Sequence, residues 1–211
     1  MGAMKHWFDR WERRLEFLAV PGLASLIVGM NAAVFALSML KPEFPLMLRL
    51  DPALVMGGQL WRVLTFLFIP PAMSPMWMFF WLMLLYTYAT ALEAEWGDFR
   101  FNLFYGVGAA ATVAASLLLG VGLSNIPLNT SIFLAFAALY PDFEIVLFFI
   151  LPVKARWLAA FAWAGIAWGL LSSGLVGRVG LAAGLVNYAL FFGRDHWEQA
   201  KQFLRRRRLG R

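Results

Sequence analysis

From residue 18 to residue 40 no side chain carries a charge, and Asn31 is the only strongly polar one. At about 1.5 Å per helical residue, a run of that length crosses the roughly 30 Å hydrocarbon core of a bilayer. Further apolar runs follow at 75–92, 101–121, 129–140, 157–171 and 179–192. Composition points the same way, with 62% hydrophobic and 14% charged residues. Soluble domains carry about 45–50% and about 25%. A globule of 211 residues has too little interior for that much apolar surface. The expected fold class is therefore an all-α integral membrane protein with six transmembrane helices. Residues 1–17 read as an N-terminal tail, 18–192 as one membrane domain and 193–211 as a basic C-terminal tail. No linker or repeat of 20–50 residues divides the chain.

The runs differ in kind. The third contains GVGAAATVAAS, whose small residues let helix backbones approach closely, so this helix is expected inside the bundle. The fourth, at about a dozen residues, is too short to cross alone. It either continues upstream as irregular backbone or starts at depth below a protein-lined, water-filled cavity. Residues 41–62, with three prolines and the pair Gly57-Gly58, read as a long, partly embedded loop with short helices. Residues 141–153 form a short apolar run between prolines.

Charge sets the expected orientation. Six spans with both tails inside leave Lys41, Arg49, Arg62 and Arg178 outside and every other basic residue inside. That bias places both termini in the cytoplasm, with the bacterial inner membrane as the expected location. The net charge of +6 sits beside apolar runs, which suits anionic headgroups better than nucleic acid. Arg205, Arg206, Arg207 and Arg208 serve as a topology signal or as a lipid-facing basic patch. The expected partners are the bilayer and transmembrane segments of other proteins, with no nucleic acid.

Several residues carry a recognisable order. Gly58-Gln-Leu-Trp61-Arg62-Val-Leu-Thr65 follows the long loop, then come Leu92-Glu93 and Arg100 opening the third run. A short fourth run ends in Tyr140-Pro141-Asp142. Pro152-Val-Lys-Ala155 follows, and the sixth run carries Gly180 and Gly184 four apart. Across about 18–192 this resembles the six-helix rhomboid superfamily, including the derlins. Arg62 suits donation to loop carbonyls, and Trp61 suits a headgroup-level anchor. The resemblance implies that the Trp-Arg pair clamps the first loop. Glu93 is placed to pair with Arg100 or to stand solvated at the turn. Gly180 and Gly184 permit close packing of the sixth helix, on the fourth or in a dimer.

The resemblance also implies what is missing. Active rhomboids hold a nucleophilic serine in Gly-x-Ser-Gly and a histidine on the sixth helix. Here the matching region reads Ser124-Asn-Ile-Pro-Leu-Asn129-Thr-Ser131, without flanking glycines. The two histidines, His6 and His196, lie in the tails. A serine hydroxyl needs a base to become nucleophilic, and Arg178, near the expected position, does not deprotonate. Asn187 and Tyr188 can hydrogen-bond a serine but are poor bases. With no Cys and no acidic pair at helical spacing within a run, neither a metal site nor a cofactor is expected. Asn31, Asn129, Ser131, Asn187 and Tyr188 are candidates to line a cavity, and Asn31 to bond a neighbouring helix. The leading expectation is a derlin-like pseudoprotease that binds transmembrane clients between its second and fifth helices and thins lipid locally. The alternatives are a divergent protease using Ser131 and a small transporter, the latter disfavoured by the lack of charge inside the runs.

Overall fold

The structure, a computed structural model, describes residues 19–147, 151–194, 197 and 201. The N-terminal tail, His6, His196 and Arg205, Arg206, Arg207 and Arg208 lie outside the described residues. Helix α1, Leu23–Leu40, starts five residues later than the apolar run, because Gly22 adopts a left-handed φ of 68°. Its N-terminus leaves backbone N–H groups unpaired, and Glu93 accepts a hydrogen bond from Ala24 N at 3.2 Å. Asn102 grips the segment preceding α1, with Val20 N donating to its Oδ1 at 2.9 Å and its Nδ2 donating to Val20 O at 3.0 Å.

The long loop folds into short pieces: α2 Phe44–Leu48, α3 Pro52–Met56, α4 Arg62–Thr65 and a 3-10 turn at Phe66–Phe68. Asp51 caps α3 by accepting from Ala53 N and Leu54 N. Leu50, Val55 and Phe66 bury their side chains beneath these pieces. Helix α5, Pro75–Trp96, and helix α6, Asp98–Leu119, are joined by Gly97 alone, at a φ of 81°. So tight a joint makes them antiparallel neighbours.

Helix α7, Ile126–Leu139, occupies the centre, buried along most of its length. It packs against α5, α6, α8 (Ala155–Ser172) and α9 (Leu175–Gly184). A helix that is apolar all round belongs inside a bundle. Between α7 and α8, residues expected only as an apolar run between prolines form an antiparallel hairpin of β1 Glu144–Leu147 and β2 Leu151–Lys154, with Ile145 opposite Val153. Pro141 and Pro152 oppose a helix here, and a two-stranded sheet has the free edges on which proline is tolerated. Phe143 meets Phe136 of α7 edge to face at 5.2 Å, and Ile145 is buried.

The sixth run is broken rather than continuous. Helix α9 ends at Gly184, and α10, Val186–Arg194, leaves at a bend of 55°. Among the described residues α1, α5 and α6 are long and apolar enough to cross a membrane, and α9 with α10 makes a fourth if counted as one broken span. Helix α7 falls short because 14 residues rise only about 21 Å. Outward-facing Leu40, Leu118, Phe161 and Trp168 are strongly exposed, an apolar exterior of the kind that lipid solvates.

Candidate functional site

Ser131 lies on the buried side of α7, fully enclosed. Its Oγ donates to Leu128 O at 2.6 Å and accepts from Asn187 Nδ2 at 2.7 Å. Asn187 Oδ1 in turn accepts from Tyr188 N at 2.9 Å. The hydroxyl proton is therefore committed to a backbone carbonyl, and the group facing Ser131 is a carboxamide, which takes up no proton at neutral pH. This arrangement cross-braces α7 and α10. Gly108 of α6 makes room for it. A Cβ there would overlap Leu128 Cδ1 and lie 2.9 Å from Asn187 Cγ.

Outside this braced interior lies an opening. Helices α5 and α8 each pack on α7 but share no extended interface with each other among the described residues. The gap exposes one side of α7 as a groove of about 360 Å³. Trp81, Leu84, Leu85 and Tyr88 line it from α5, Ile126, Asn129, Thr130 and Phe133 from α7, and Leu158 from α8. A second apolar hollow of about 290 Å³ shares Met73, Trp81 and Leu84 with it and reaches Val146 of the hairpin. Tyr88 meets Phe133 at 5.0 Å and Phe136 at 4.8 Å between ring centroids, fixing α5 against α7. Asn129 is 8% exposed, and its Oδ1 has no hydrogen-bond partner.

The α7 N-terminus begins beneath two further openings. One, of about 510 Å³, includes Arg49, Asp51, Gly122 and Ser124, and the other, of about 450 Å³, includes Ser124, Pro127, Ser173 and Gly177. Asn125, just before the helix, donates from Nδ2 to Leu67 O at 2.9 Å and to Ile69 O at 3.0 Å. It satisfies carbonyls that the 3-10 turn leaves open.

The profile of the Der1-like family matches residues 20–205. The chain belongs to the Der1-like family. Der1 and the derlins are part of the rhomboid-like superfamily, and the protein is thus an integral membrane protein. No curated protein matches it significantly.

In this Der1-like chain Arg62 is buried inside the first loop. Its Nη1 donates to Leu46 O at 3.1 Å and Arg49 O at 3.0 Å, and its Nε to Gln59 Oε1 at 2.7 Å. Thr65 Oγ1 adds a bond to Leu48 O at 2.9 Å. The planar guanidinium thereby ties the C-terminal end of α2 and the turn at Gln59 to α4 around one charge. Trp61 beside it is 55% exposed. Glu93 reaches the start of α1, and Arg100 stands in the first turn of α6. A Cβ on Gly184 would come within 2.5 Å of Pro127 Cβ and 2.9 Å of Leu128 N, both in α7. On Gly180 it would meet only the flexible end of Leu123, at 3.1 Å.

Three sequence-level expectations change. Asn31 bonds its own helix, Nδ2 donating to Ile27 O at 2.8 Å, not a neighbouring one. Asn31, Ser131 and Asn187 are packed, and none lines the four openings described. Tyr188 is buried among aromatic rings, stacked on Phe192 at 5.0 Å and edge-on to Trp163 at 5.3 Å. Arg178 lies within α9 and donates to Ser173 O and Leu171 O, closing the C-terminus of α8. Asn102 and Asn125 were not singled out from sequence. Asn102 lies at the start of the third apolar run and Asn125 in the break before the fourth. Among the described residues no group of three His, Asp or Glu side chains gathers into a metal site.

Below the bundle, Asp142 pairs with Lys154 at 3.2 Å and Arg156 at 3.3 Å. The hydrogen bond from Lys154, followed by the charges of Lys154 and Arg156, holds its carboxyl below the usual range. Tyr140 donates to Glu95 Oε2 at 2.9 Å, and that bond raises its phenol above the ordinary value.

Proposed function

We propose that this Der1-like protein is a non-enzymatic membrane module of six spans that binds transmembrane segments of other proteins in the groove beside α7, with both termini in the cytoplasm and the bacterial inner membrane as its site. The observation that carries the reading is the open, apolar lateral gap between α5, a helix long enough to span a membrane, and α8. Helices inserted in lipid associate by packing rather than by the hydrophobic effect. A preformed concave face of Trp81, Leu84, Phe133 and Leu158 offers such packing. The short α7 and the broken α9–α10 pair support local thinning of the bilayer, since both present less apolar length than a full span.

The test is photo-crosslinking in membranes from Trp81 and Leu158, each replaced by a photoreactive residue. The reading expects adducts with other membrane proteins. Adducts with lipid and with the protein itself alone overturn it. The non-enzymatic part has its own assay. A fluorophosphonate probe should leave the protein unlabelled, and labelling that disappears in Ser131→Ala would establish a nucleophile there.

A further inference from the structure

Among the described residues three buried side-chain polar atoms lack a hydrogen-bond partner: Asn31 Oδ1, Tyr105 Oη and Asn129 Oδ1. Of these residues Asn129 is the one that lines an opening described above. Its groove is otherwise almost wholly apolar, and the neighbouring Thr130 hydroxyl is committed to Ile126 O at 2.9 Å. An unpaired amide oxygen is costly to keep in such surroundings, and buried polar groups ordinarily find partners. An acyl chain has no proton to offer it. A side-chain hydroxyl or amide on a passing helix does.

Depth fits the same occupant. The groove sets Asn129 beside Leu84 and Leu85, about midway along the 22 residues of α5. Near the bilayer midplane water and lipid headgroups are remote, so the donor must come from within a membrane-spanning segment. We infer that Asn129 is the specificity-determining acceptor of the groove, selecting transmembrane segments that present a hydroxyl or amide side chain near mid-depth. The inference rests on the groove being a client site. Oδ1 is itself enclosed, so recognition requires a turn of the Asn129 carboxamide about χ2 that brings Oδ1 to the groove, whose apolar walls would hold the flanking turns of the client.

Binding of two synthetic transmembrane Ala/Leu helices to the full-length protein in nanodiscs tests this. The peptides are identical except for a central Thr in one and Val in the other, side chains of nearly equal shape. Interhelical hydrogen bonds in membranes average about 0.6 kcal/mol and reach about 1.7. The Thr peptide should therefore bind about threefold, and up to about twentyfold, more tightly. In Asn129→Leu the preference for the Thr peptide over the Val peptide should vanish. Equal binding of both peptides to the wild-type protein overturns the inference and leaves the client groove standing, as does a Thr preference that survives in Asn129→Leu. Binding of neither peptide overturns both readings together. The wild-type comparison needs no variant to fold.

Discussion

Gly106 and Gly108 sit two residues apart in α6, yet the structure gives them opposite surroundings. A Cβ at Gly106 meets nothing within 4 Å, whereas one at Gly108 overlaps Leu128 Cδ1 and lies 2.9 Å and 3.0 Å from Asn187 Cγ and Nδ2. Gly106→Ala and Gly108→Ala share the same gain in helix propensity, about 1 kcal/mol, so their difference isolates packing. Leu128 is fully buried, and Asn187 is held by its bond to Ser131, which leaves neither group free to withdraw. Overpacking of a tight interior costs about 1–3 kcal/mol. Gly108→Ala should accordingly be less stable than Gly106→Ala by about that amount. Unfolding in bicelles titrated with SDS, followed by tryptophan fluorescence, reads the difference. Equal midpoints, or a more stable Gly108→Ala, would refute the claim that α6, α7 and α10 meet at this glycine.

Gly184→Ala should destabilise more than Gly180→Ala in the same assay, because Gly184 faces the α7 backbone at Leu128 N and Gly180 a movable Leu123 side chain. Arg62→Ala should cost about 2–3 kcal/mol, as expected for losing charged hydrogen bonds to partly buried carbonyls. Arg62→Lys should recover less than half, since an ammonium cannot reproduce the fork, and limited proteolysis within residues 41–69 would report the loosening. Asp142 should titrate below the ordinary aspartate range by carboxyl-carbon NMR and move upward in Lys154→Met. Because its folded value is depressed, its ion pairs contribute above the unfolded aspartate range and are lost as pH falls through the folded value. A value at or above the ordinary range would show that the pairs at the hairpin base do not persist.

Much of the bundle was legible because lipid imposes a simple rule on sequence. Runs without charge and about 20 residues long mark helices, and α1, α5 and α6 appear within a few residues of their apolar runs. The small residues of α6 predicted close approach, and Gly108 provides it. Arg62 stood out as an embedded charge that needed acceptors, and the loop carbonyls supply them. The hairpin was not legible. Its prolines oppose a helix, but an apolar run that short does not by itself tell a paired strand from a loop.

The absence of a histidine within the apolar runs, and so of the usual rhomboid base, was fixed by the sequence alone, since no folding can supply a residue type that the chain lacks. Which side chain faces Ser131 was decided by tertiary structure. Asn187 and Ser131 are 56 positions apart, and nothing local joins them. The bend after Gly184 and the gap at Gly108 bring α10 onto α7. The groove has the same origin. Trp81, Asn129 and Leu158 are ordinary members of three apolar runs, and they share a site because α5 and α8 both rest on α7 while staying apart. Periodicity and composition record which solvent each residue prefers; which helix it faces is set by how the whole bundle packs.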